Sequence, residues 1–433
     1  MDIRATPERA RLLAALAARN DMLYPLFVVW PLLTVLALAL TNWDGLAKSL
    51  PFAAMAVLIS GWPIYVFAFQ TSFRKVRWLD ELAPDRRIGG YNRAELVALV
   101  RQVHQRLGVT TDTPTAITGD KELNATAMTL GLAAFFPKLN AVYVHRPMLH
   151  VLFPGELASV LGHELGHYHR YKVDFCRATP MHLLLLGAVA ILAVSLLGPS
   201  MLGLGAAAAF SWIHNAFLGA MGAPHSRHIE YLCDEAGAKA AGVVPAINCE
   251  LKLGLQAEAE LQLQQHLLQA GKDIPVERLL ALYEEALPFA RVDGEEVKRR
   301  IDAALKKEKA ARRGVSLGGF LDHIREGEGD GEAREALGSL VPEGPLLEWD
   351  RETLRQNGQL DEAQIATLVA AMERDPQGLL FRLPSELLDP RYQSHPPHSR
   401  RVLYLWRNRA IIAATSADRP GPARSDPPEP LLH

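Results

Sequence analysis

The stretch His163-Glu164-Leu165-Gly166-His167 carries more structural information than any other part of this 433-residue chain. Residues four apart lie on the same face of an α-helix, so both imidazoles can reach one metal ion. Glu164 is the next residue round the helix. It is close enough to accept a proton from a water molecule on that ion without binding the ion itself. A zinc ion held in this way keeps an open coordination position and activates water for hydrolysis. Because five residues recur by chance, the prediction of one zinc ion needs a third ligand elsewhere.

The composition excludes several other classes of protein. The formal net charge is only −2, and no basic patch interleaved with aromatic residues occurs, so the chain is not predicted to bind nucleic acid. The three cysteines, Cys176, Cys233 and Cys249, form no Cys-x-x-Cys pair. An odd number of cysteines without that spacing indicates reduced thiols rather than a disulfide framework or a cysteine zinc site.

Three long runs contain no Asp, Glu, Lys or Arg: residues 22–43, 49–73 and 178–226. A membrane-spanning helix needs about 20 apolar residues. The first two runs are each long enough for one span, and the third is long enough for two, with Gly198-Pro199-Ser200 as the turn between them. We therefore predict four transmembrane helices. The alternative is that these runs are buried helices of a large soluble core.

Basic residues indicate how the predicted spans are oriented. Four arginines precede the first run, the loop at 44–48 has one charge of each sign, and three basic residues follow the second run at 74–77. Cytosolic flanks carry the excess of Lys and Arg, so both of these flanks should lie in the cytosol. We predict a multi-pass protein of the cell inner membrane with the bulk of the chain on the cytosolic side.

The third zinc ligand is predicted on a second helix, just after the last apolar run. A third histidine directly downstream of the first two is excluded, because Arg170 and Val173 occupy the positions where that class of site has Gly and His. Glu230 and Asp234 stand four apart, hence on one helical face. Glu230 could bind zinc while Asp234 accepts the outer N–H of a ligand histidine. The alternative is an ordinary acidic stripe that faces solvent.

Three motifs in this order resemble those of the HtpX-type and CAAX-prenyl-protease-type membrane zinc metallopeptidases. They are His163-Glu164-Leu165-Gly166-His167, then Ser226-Arg227 with Glu230 and Asp234, then Ser394-His395-Pro396-Pro397 followed by Arg401. Two predicted spans before the first motif and two between the first and second are similar to the HtpX-type layout. The resemblance covers residues 20–245 and 390–410.

The resemblance implies a role for each motif. The implied zinc ligands are His163, His167 and Glu230, with Glu164 as the general base. Asp234 would support a ligand histidine, and His395 would stabilise the oxyanion. The implied metal is a single Zn²⁺.

Substrate binding is predicted at a strand and at the last helix. Asn124-Ala125 resembles the family's Asn-Ala strand beside the cleft, which implies that it holds extended substrate, although Thr126 stands where the family often has an aromatic residue. Substrate would lie along an edge strand near Asn124 or Asn140. Arg401 could bind substrate or orient a carboxylate near the site, or it could be surface charge. His395 precedes two prolines and could instead cap a turn.

The predicted fold is a mainly α integral membrane protein with about four transmembrane helices and a cytosolic gluzincin-like zinc protease domain that carries a small β-sheet. We expect an amphipathic segment at 1–21 and pairs of spans at 22–73 and 178–224. The protease domain begins at 74–177, with the sheet and a zinc helix that extends to about Tyr171, and its third-ligand helix lies at 225–245. A charged helical insertion, predicted to be a solvated accessory region, occupies 246–390. The His-Pro-Pro motif and last helix follow at 391–415, and a disordered tail at 416–433.

The predicted function is zinc-dependent endopeptidase activity on membrane or misfolded proteins at the cytosolic face, with a polypeptide and the lipid bilayer as partners. One alternative is a catalytically silent membrane scaffold in which zinc only holds the helices together, but such a site needs no general base such as Glu164. A transporter is disfavoured because the apolar runs hold no acidic or basic residue apart from histidine.

Overall fold

The computed structural model describes residues 6–73, 76–120, 123–129, 137–171, 173–270, 345–387 and 395–417. Over these residues the fold is mainly helical with one small mixed sheet, as predicted. Residues 271–344 of the charged insertion, Ser394 and the tail beyond Ala417 lie outside the described residues.

The N-terminal third of the chain contains two long helices. Helix α1 covers Pro7–Ala39, the short α2 covers Trp43–Ala47, and α3 covers Leu50–Phe73. Thr6 caps α1 by accepting a hydrogen bond from the Arg9 backbone. The predicted amphipathic segment at 1–21 is therefore not a separate element, because it continues into the first apolar run as one 33-residue helix.

The sheet has the order β1-β2-β4-β3. Its strands are β1 (Val76–Trp78), β2 (Thr115–Thr118), β3 (Ala125–Thr129) and β4 (Asn140–His145). Strands β2 and β4 pair in parallel, while β1 and β3 pair antiparallel with their neighbours. Strand β4 therefore lies between β2 and β3, and β3 is the last of the described strands on that side.

Helix α4 (Arg93–Leu107) has Asn92 as its N-cap, and the side chains of Asn92 and Glu95 form a capping box, which the Asn-x-x-Glu spacing of the sequence favours. A 3₁₀ turn at Pro137–Leu139 leads into β4, and the short α5 (Met148–Val151) follows that strand. Apolar side chains from the sheet, α4 and α6 (Pro154–Gly166) form one hydrophobic cluster. This cluster holds the zinc helix α6 against the sheet.

The helical segment that carries the motif extends to Tyr171, as predicted, but its last turn is not α-helical. Helix α6 ends at Gly166, and one π-helical turn follows at His167–Tyr171. Single π-turns inside helices are frequent at functional sites. Here the π-turn starts at the second histidine of the motif.

Helices α7 (Val173–Leu197) and α8 (Met201–Ala241) follow. The turn predicted at Gly198-Pro199-Ser200 is confirmed: Gly198 has φ of +74°, and Ser200 caps α8. The boundary predicted between 178–224 and 225–245 does not exist, because α8 runs without a break through both segments. One helix thus joins the last apolar run to Glu230.

The apolar runs form α1, α3, α7 and the first half of α8. Within the described part of the chain, no helix is both long enough and apolar enough to cross a membrane. The four predicted spans are therefore not confirmed.

Helices α6 and α8 cross at a point lined with glycine. A Cβ atom added to Gly162 would lie 2.8 Å from the Ala240 Cβ and 2.9 Å from the Gly237 Cα, and one added to Gly166 would lie 3.1 Å from the Cys233 Sγ. Such distances are shorter than side-chain contacts normally allow, so the two helices need glycine to approach this closely. The crossing brings the histidines of α6 next to the carboxylates of α8.

The prediction of a solvated accessory region at 246–390 is wrong for the residues described there. This part contains α9 (Val243–Ala270), α10 (Arg351–Asn357), α11 (Glu362–Arg374) and α12 (Pro384–Leu387), and it packs on the last helices, α13 (His398–Arg407) and α14 (Arg409–Ala417). Buried apolar residues from these elements form a second core, with Ile247, Leu251, Leu354, Ile365 and Phe381 among them.

Buried ion pairs explain why the charged composition of this region is misleading. The Lys252 ammonium lies 2.6 Å from a carboxylate oxygen of Glu156, and both side chains are almost completely buried. Glu258 accepts a 2.7 Å hydrogen bond from Arg351. Charged residues are almost never fully buried unless they are paired, and the sequence does not reveal the pairing.

Candidate metal centre

The three predicted zinc ligands come together at the crossing of α6 and α8. The Nε2 atoms of His163 and His167 are 3.0 Å apart. The Glu230 carboxylate lies 3.4 Å from the first of these nitrogens and 3.3 Å from the second. Among the described residues, these three are the one group of at least three potential ligands whose donor atoms all lie within 4.8 Å of one another.

This donor set fits zinc in both chemistry and spacing. Two imidazoles and one carboxylate are a common catalytic zinc set, which leaves one coordination position open. In a tetrahedral site with bonds of about 2.1 Å, the ligand atoms lie about 3.4 Å from one another. The observed separations of 3.0 to 3.4 Å are close to that value.

Asp234 binds His163 through the ring nitrogen that is not part of the donor cluster. The His163 Nδ1 lies 2.8 Å from an Asp234 carboxylate oxygen. An ionised carboxylate can only accept, so Nδ1 carries a proton and Nε2 is the nitrogen that faces the donor cluster. This is the arrangement that fixes the orientation of a metal-binding histidine.

Arg401 in turn holds Asp234. Its Nε donates to one Asp234 oxygen at 2.8 Å, and its Nη2 donates to the other. Burial alone would raise the pKa of Asp234, but the Arg401 guanidinium outweighs it and keeps the pKa below its ordinary value. Of the roles considered for Arg401, orienting a carboxylate matches this contact, because the side chain is buried against Asp234 instead of lying on the surface.

The centre is strongly negative. Burial would lower the pKa of His163, but Asp234 and Glu230 outweigh burial and raise that pKa to about 10. Burial would raise the pKa of Glu230, whereas its histidine neighbours lower it well below 4.5. The site therefore attracts positive charge, either as a proton on His163 or as a metal cation that replaces that proton.

The predicted catalytic residues both lie beside the donor cluster. Glu164 follows His163 on α6 and is buried. His395 comes from the segment just before α13, and its Nδ1 lies 3.2 Å from a Glu230 oxygen. Its side chain is 67 % exposed, so it borders the open side of the cluster.

The predicted substrate strand is the last of the described strands on one side of the sheet. Asn124 is exposed and immediately precedes β3, which begins at the buried Ala125. Strand β3 packs near α6 and the π-turn, and among the described strands it pairs with β4 alone. Asn140, the alternative position for substrate, starts the central strand β4, both of whose edges are occupied. An added strand therefore cannot join at β4, where Asn140 lies.

Several residues around the centre were not predicted. Glu250 on α9 lies 2.9 Å from Arg401, and His398 on α13 lies 2.9 Å from Glu250. Arg9 on α1 makes two hydrogen bonds of 2.8 Å to Glu235, the neighbour of Asp234. These contacts join residues far apart in the chain, and no local spacing in the sequence indicates them.

Comparison with known proteins supports this assignment. Residues 92–246 match the family model described as Peptidase family M48. This confirms the resemblance inferred from the motifs. The matched M48 segment begins at the N-cap of α4 and extends past the end of α8, so it contains the sheet strands β2 to β4, the zinc helix and Glu230. No curated protein and no solved structure matches the chain.

The matched segment lacks three residues of the centre. His395 and Arg401 lie beyond residue 246, as does Glu250. The M48 segment thus supplies the three donor side chains, Glu164 and Asp234, while the C-terminal region supplies the groups that surround them. Chemically, the arrangement can bind one divalent cation, hold a base beside it and leave one side open to a substrate.

Proposed function

We propose that the chain is a zinc-dependent endopeptidase that hydrolyses peptide bonds of membrane or misfolded proteins at the cytosolic side of the cell inner membrane. The observation that carries this proposal is the convergence of His163, His167 and Glu230 beside Glu164, within a segment that matches a peptidase family. A structural zinc site would need no such base.

Glu164 is proposed to transfer a proton from the attacking water molecule to the leaving amine. Zinc bound at the three donors would polarise the scissile carbonyl and lower the pKa of a neighbouring water molecule. The Glu164 carboxylate accepts a proton as that water attacks the carbonyl carbon, and then passes it to the leaving amine nitrogen. His395 borders the open side, where an N–H could donate to the oxyanion that develops on the carbonyl oxygen.

The substrate is proposed to bind as an added strand on β3. An extended peptide can bind along a sheet through main-chain hydrogen bonds. The position of β3 beside the zinc helix supports this proposal. Main-chain pairing gives affinity with little dependence on side chains, which suits an enzyme that acts on misfolded proteins.

Lipid contact is proposed for the apolar ends of the long helices. Large apolar side chains are exposed on α1, α3, α7 and α8, among them Leu32, Trp62, Leu184 and Trp212. Where exposed apolar side chains form a large patch, they mark an interaction with a membrane or another protein. Together with the basic flanks, it supports a protein held in the bilayer with its metal centre on the cytosolic side.

The proposal is tested by measuring zinc content and casein cleavage for the full chain purified in detergent. Glu164→Gln should keep one zinc ion per chain, because Glu164 is not a ligand, yet lose nearly all cleavage. Cleavage by the wild type should stop when a chelator removes the metal. Full activity in Glu164→Gln would contradict the mechanism, and zinc in both proteins with cleavage in neither would favour a silent scaffold.

A further inference from the structure

Glu250 is a buried carboxylate between the metal centre and the second core. It lies on α9, outside the peptidase segment, and its side chain is 8 % exposed. One oxygen is 2.9 Å from the Arg401 Nη2, and the other is 2.9 Å from the His398 Nδ1. Both oxygens are thus held by groups from α13.

A continuous chain of hydrogen bonds and ion pairs leads from Glu250 to the donor cluster. Arg401 contacts Glu250 on one side and Asp234 on the other. Asp234 accepts from the His163 Nδ1 at 2.8 Å, and the His163 Nε2 is one of the three donor atoms. Each link joins a different pair of helices: α9 to α13, α13 to α8, and α8 to α6.

We propose that Glu250 is a positioning residue for the metal centre, which acts through Arg401 and Asp234 on the zinc affinity of His163. This inference rests on the proposed zinc function. A guanidinium is planar and presents its donors in a fixed fork, so carboxylates on two sides define its orientation. His398 holds Glu250 in place for that purpose.

The charge of Glu250 matters as well as its geometry. Asp234 and Glu250 share one guanidinium, so neither carboxylate is fully neutralised by it. Without the Glu250 charge, Arg401 would neutralise Asp234 more completely. Asp234 would then be a weaker acceptor for the His163 N–H, and His163 a less basic ligand for zinc.

Glu258 provides a matched control on the same helix. It is also a buried glutamate of α9, with a side chain 5 % exposed, and it forms an ion pair of 2.7 Å with Arg351. Its other oxygen accepts from the Arg382 backbone at 2.7 Å. Among the contacts of the described residues, none joins these partners to the donor cluster. Replacing either glutamate by glutamine therefore breaks one buried ion pair, but only Glu250→Gln disturbs the chain to His163.

The test compares zinc affinity in the wild type, Glu250→Gln and Glu258→Gln, each as the full chain in detergent. Dissociation constants are measured by competition with a chelating dye at pH 7, and the visible absorption of the Co²⁺-loaded proteins is recorded. We expect Glu250→Gln to bind zinc roughly tenfold more weakly. This is the lower end of the loss in metal affinity seen when a residue that supports a metal ligand is replaced. Its Co²⁺ bands should shift, whereas Glu258→Gln should match the wild type in both measurements.

A further variant covers the case in which Glu250→Gln does not fold. Glu250→Asp keeps the charge opposite Arg401 but withdraws the carboxylate by one methylene, and it should also weaken zinc binding, by a smaller factor. Zinc affinity equal to the wild type in the folded Glu250 variants would overturn the inference, and so would equal weakening in Glu258→Gln. Absence of zinc binding by the wild type would instead overturn the proposed function.

Discussion

The two halves of α8 distribute polar and apolar side chains in opposite ways. In the first half, Met201, Leu202 and Trp212 are exposed, with 74 % of Trp212 accessible. In the second half, Glu230, Asp234 and Glu235 are buried. A single 41-residue helix therefore has apolar residues outside at one end and carboxylates inside at the other.

The two halves of α8 are stabilised by different surroundings. An exposed apolar surface is costly in water and is relieved by lipid or by a partner. A buried carboxylate is costly unless a cation or hydrogen-bond donors compensate it. The second half meets this need within the chain, through Arg401 on Asp234, Arg9 and Lys239 on Glu235, and the two histidines on Glu230.

The largest effect on stability is expected from Arg401→Ala. Removing the guanidinium leaves Asp234 and Glu250 buried without their shared cation, and loss of one partner of a buried ion pair costs about 3–5 kcal/mol. Urea unfolding of the full chain in detergent should show this decrease. Arg407→Ala is the control on the same helix, because Arg407 pairs with Glu373 where both side chains are 48 % exposed. It should change the free energy of unfolding by less than about 1 kcal/mol.

A smaller loss of stability, which depends on pH, is expected for Glu235→Gln. Burial would raise the pKa of Glu235, but Arg9 and Lys239 hold that pKa below 4.5. A carboxyl group with a lowered pKa stabilises the fold above the unfolded pKa, and this contribution is lost as the pH falls through the folded pKa. At pH 7 the variant should be less stable by about 2 kcal/mol.

The difference between wild type and Glu235→Gln should therefore narrow when unfolding is measured at successively lower pH below 4.5. Glu373→Gln, which alters the exposed pair with Arg407, serves as the control and should show little difference at any pH. A constant loss for Glu235→Gln across the whole pH range would mean that its charge does not stabilise α8.

Replacing glycine by alanine should have opposite effects on stability at the two halves of α8. One such glycine, Gly162, lies on α6 against the second half, and the other, Gly205, lies in the first half itself. A Cβ on Gly162 meets the buried half of α8 at 2.8 Å, so Gly162→Ala should cost about 1–3 kcal/mol through overpacking. Gly205 lies in the exposed half, and a Cβ there meets nothing within 4 Å. Gly205→Ala should raise stability by up to about 1 kcal/mol through helix propensity. Thermal unfolding of both variants would show whether each change raises or lowers stability. A stabilised Gly162→Ala would contradict the close crossing of α6 and α8.

The smallest effect on unfolding is expected from Trp212→Ala. The side chain is largely exposed, and surface substitutions usually change stability by less than about 0.5 kcal/mol. The variant should instead bind vesicles more weakly in a flotation assay, because it removes apolar surface available to lipid. Leu204→Ala is the control, since Leu204 is buried on the same helix and its truncation should destabilise the fold. A large loss of stability in Trp212→Ala would show that this half is packed rather than lipid-facing.

The sequence was informative where the chemistry is local. The spacing of His163 and His167, the cap at Asn92 and the turn at Gly198 all follow from rules that act over a few residues. Glu230 could be proposed because its spacing to Asp234 suggested a ligand with a supporting carboxylate.

Long-range charge pairing was not accessible from the sequence. Arg9 and Glu235 are 226 positions apart, and Glu250 and His398 are 148 apart. Many other partners for these residues were equally compatible with composition alone. The same difficulty explains the error at 246–390, where buried charges such as Lys252 gave a region of the core the composition of a solvated one.

The proposed function depends above all on one zinc ion held by His163, His167 and Glu230. Zinc K-edge X-ray absorption of the loaded wild-type chain tests it most directly. We expect two imidazole nitrogens at about 2.0–2.1 Å with the remaining ligands oxygen at about 2.0–2.2 Å, and a decrease in zinc content for Glu230→Gln. A sulfur ligand at about 2.3 Å, which Cys233 beside Gly166 could supply, would contradict it, as would a spectrum with fewer than two imidazoles.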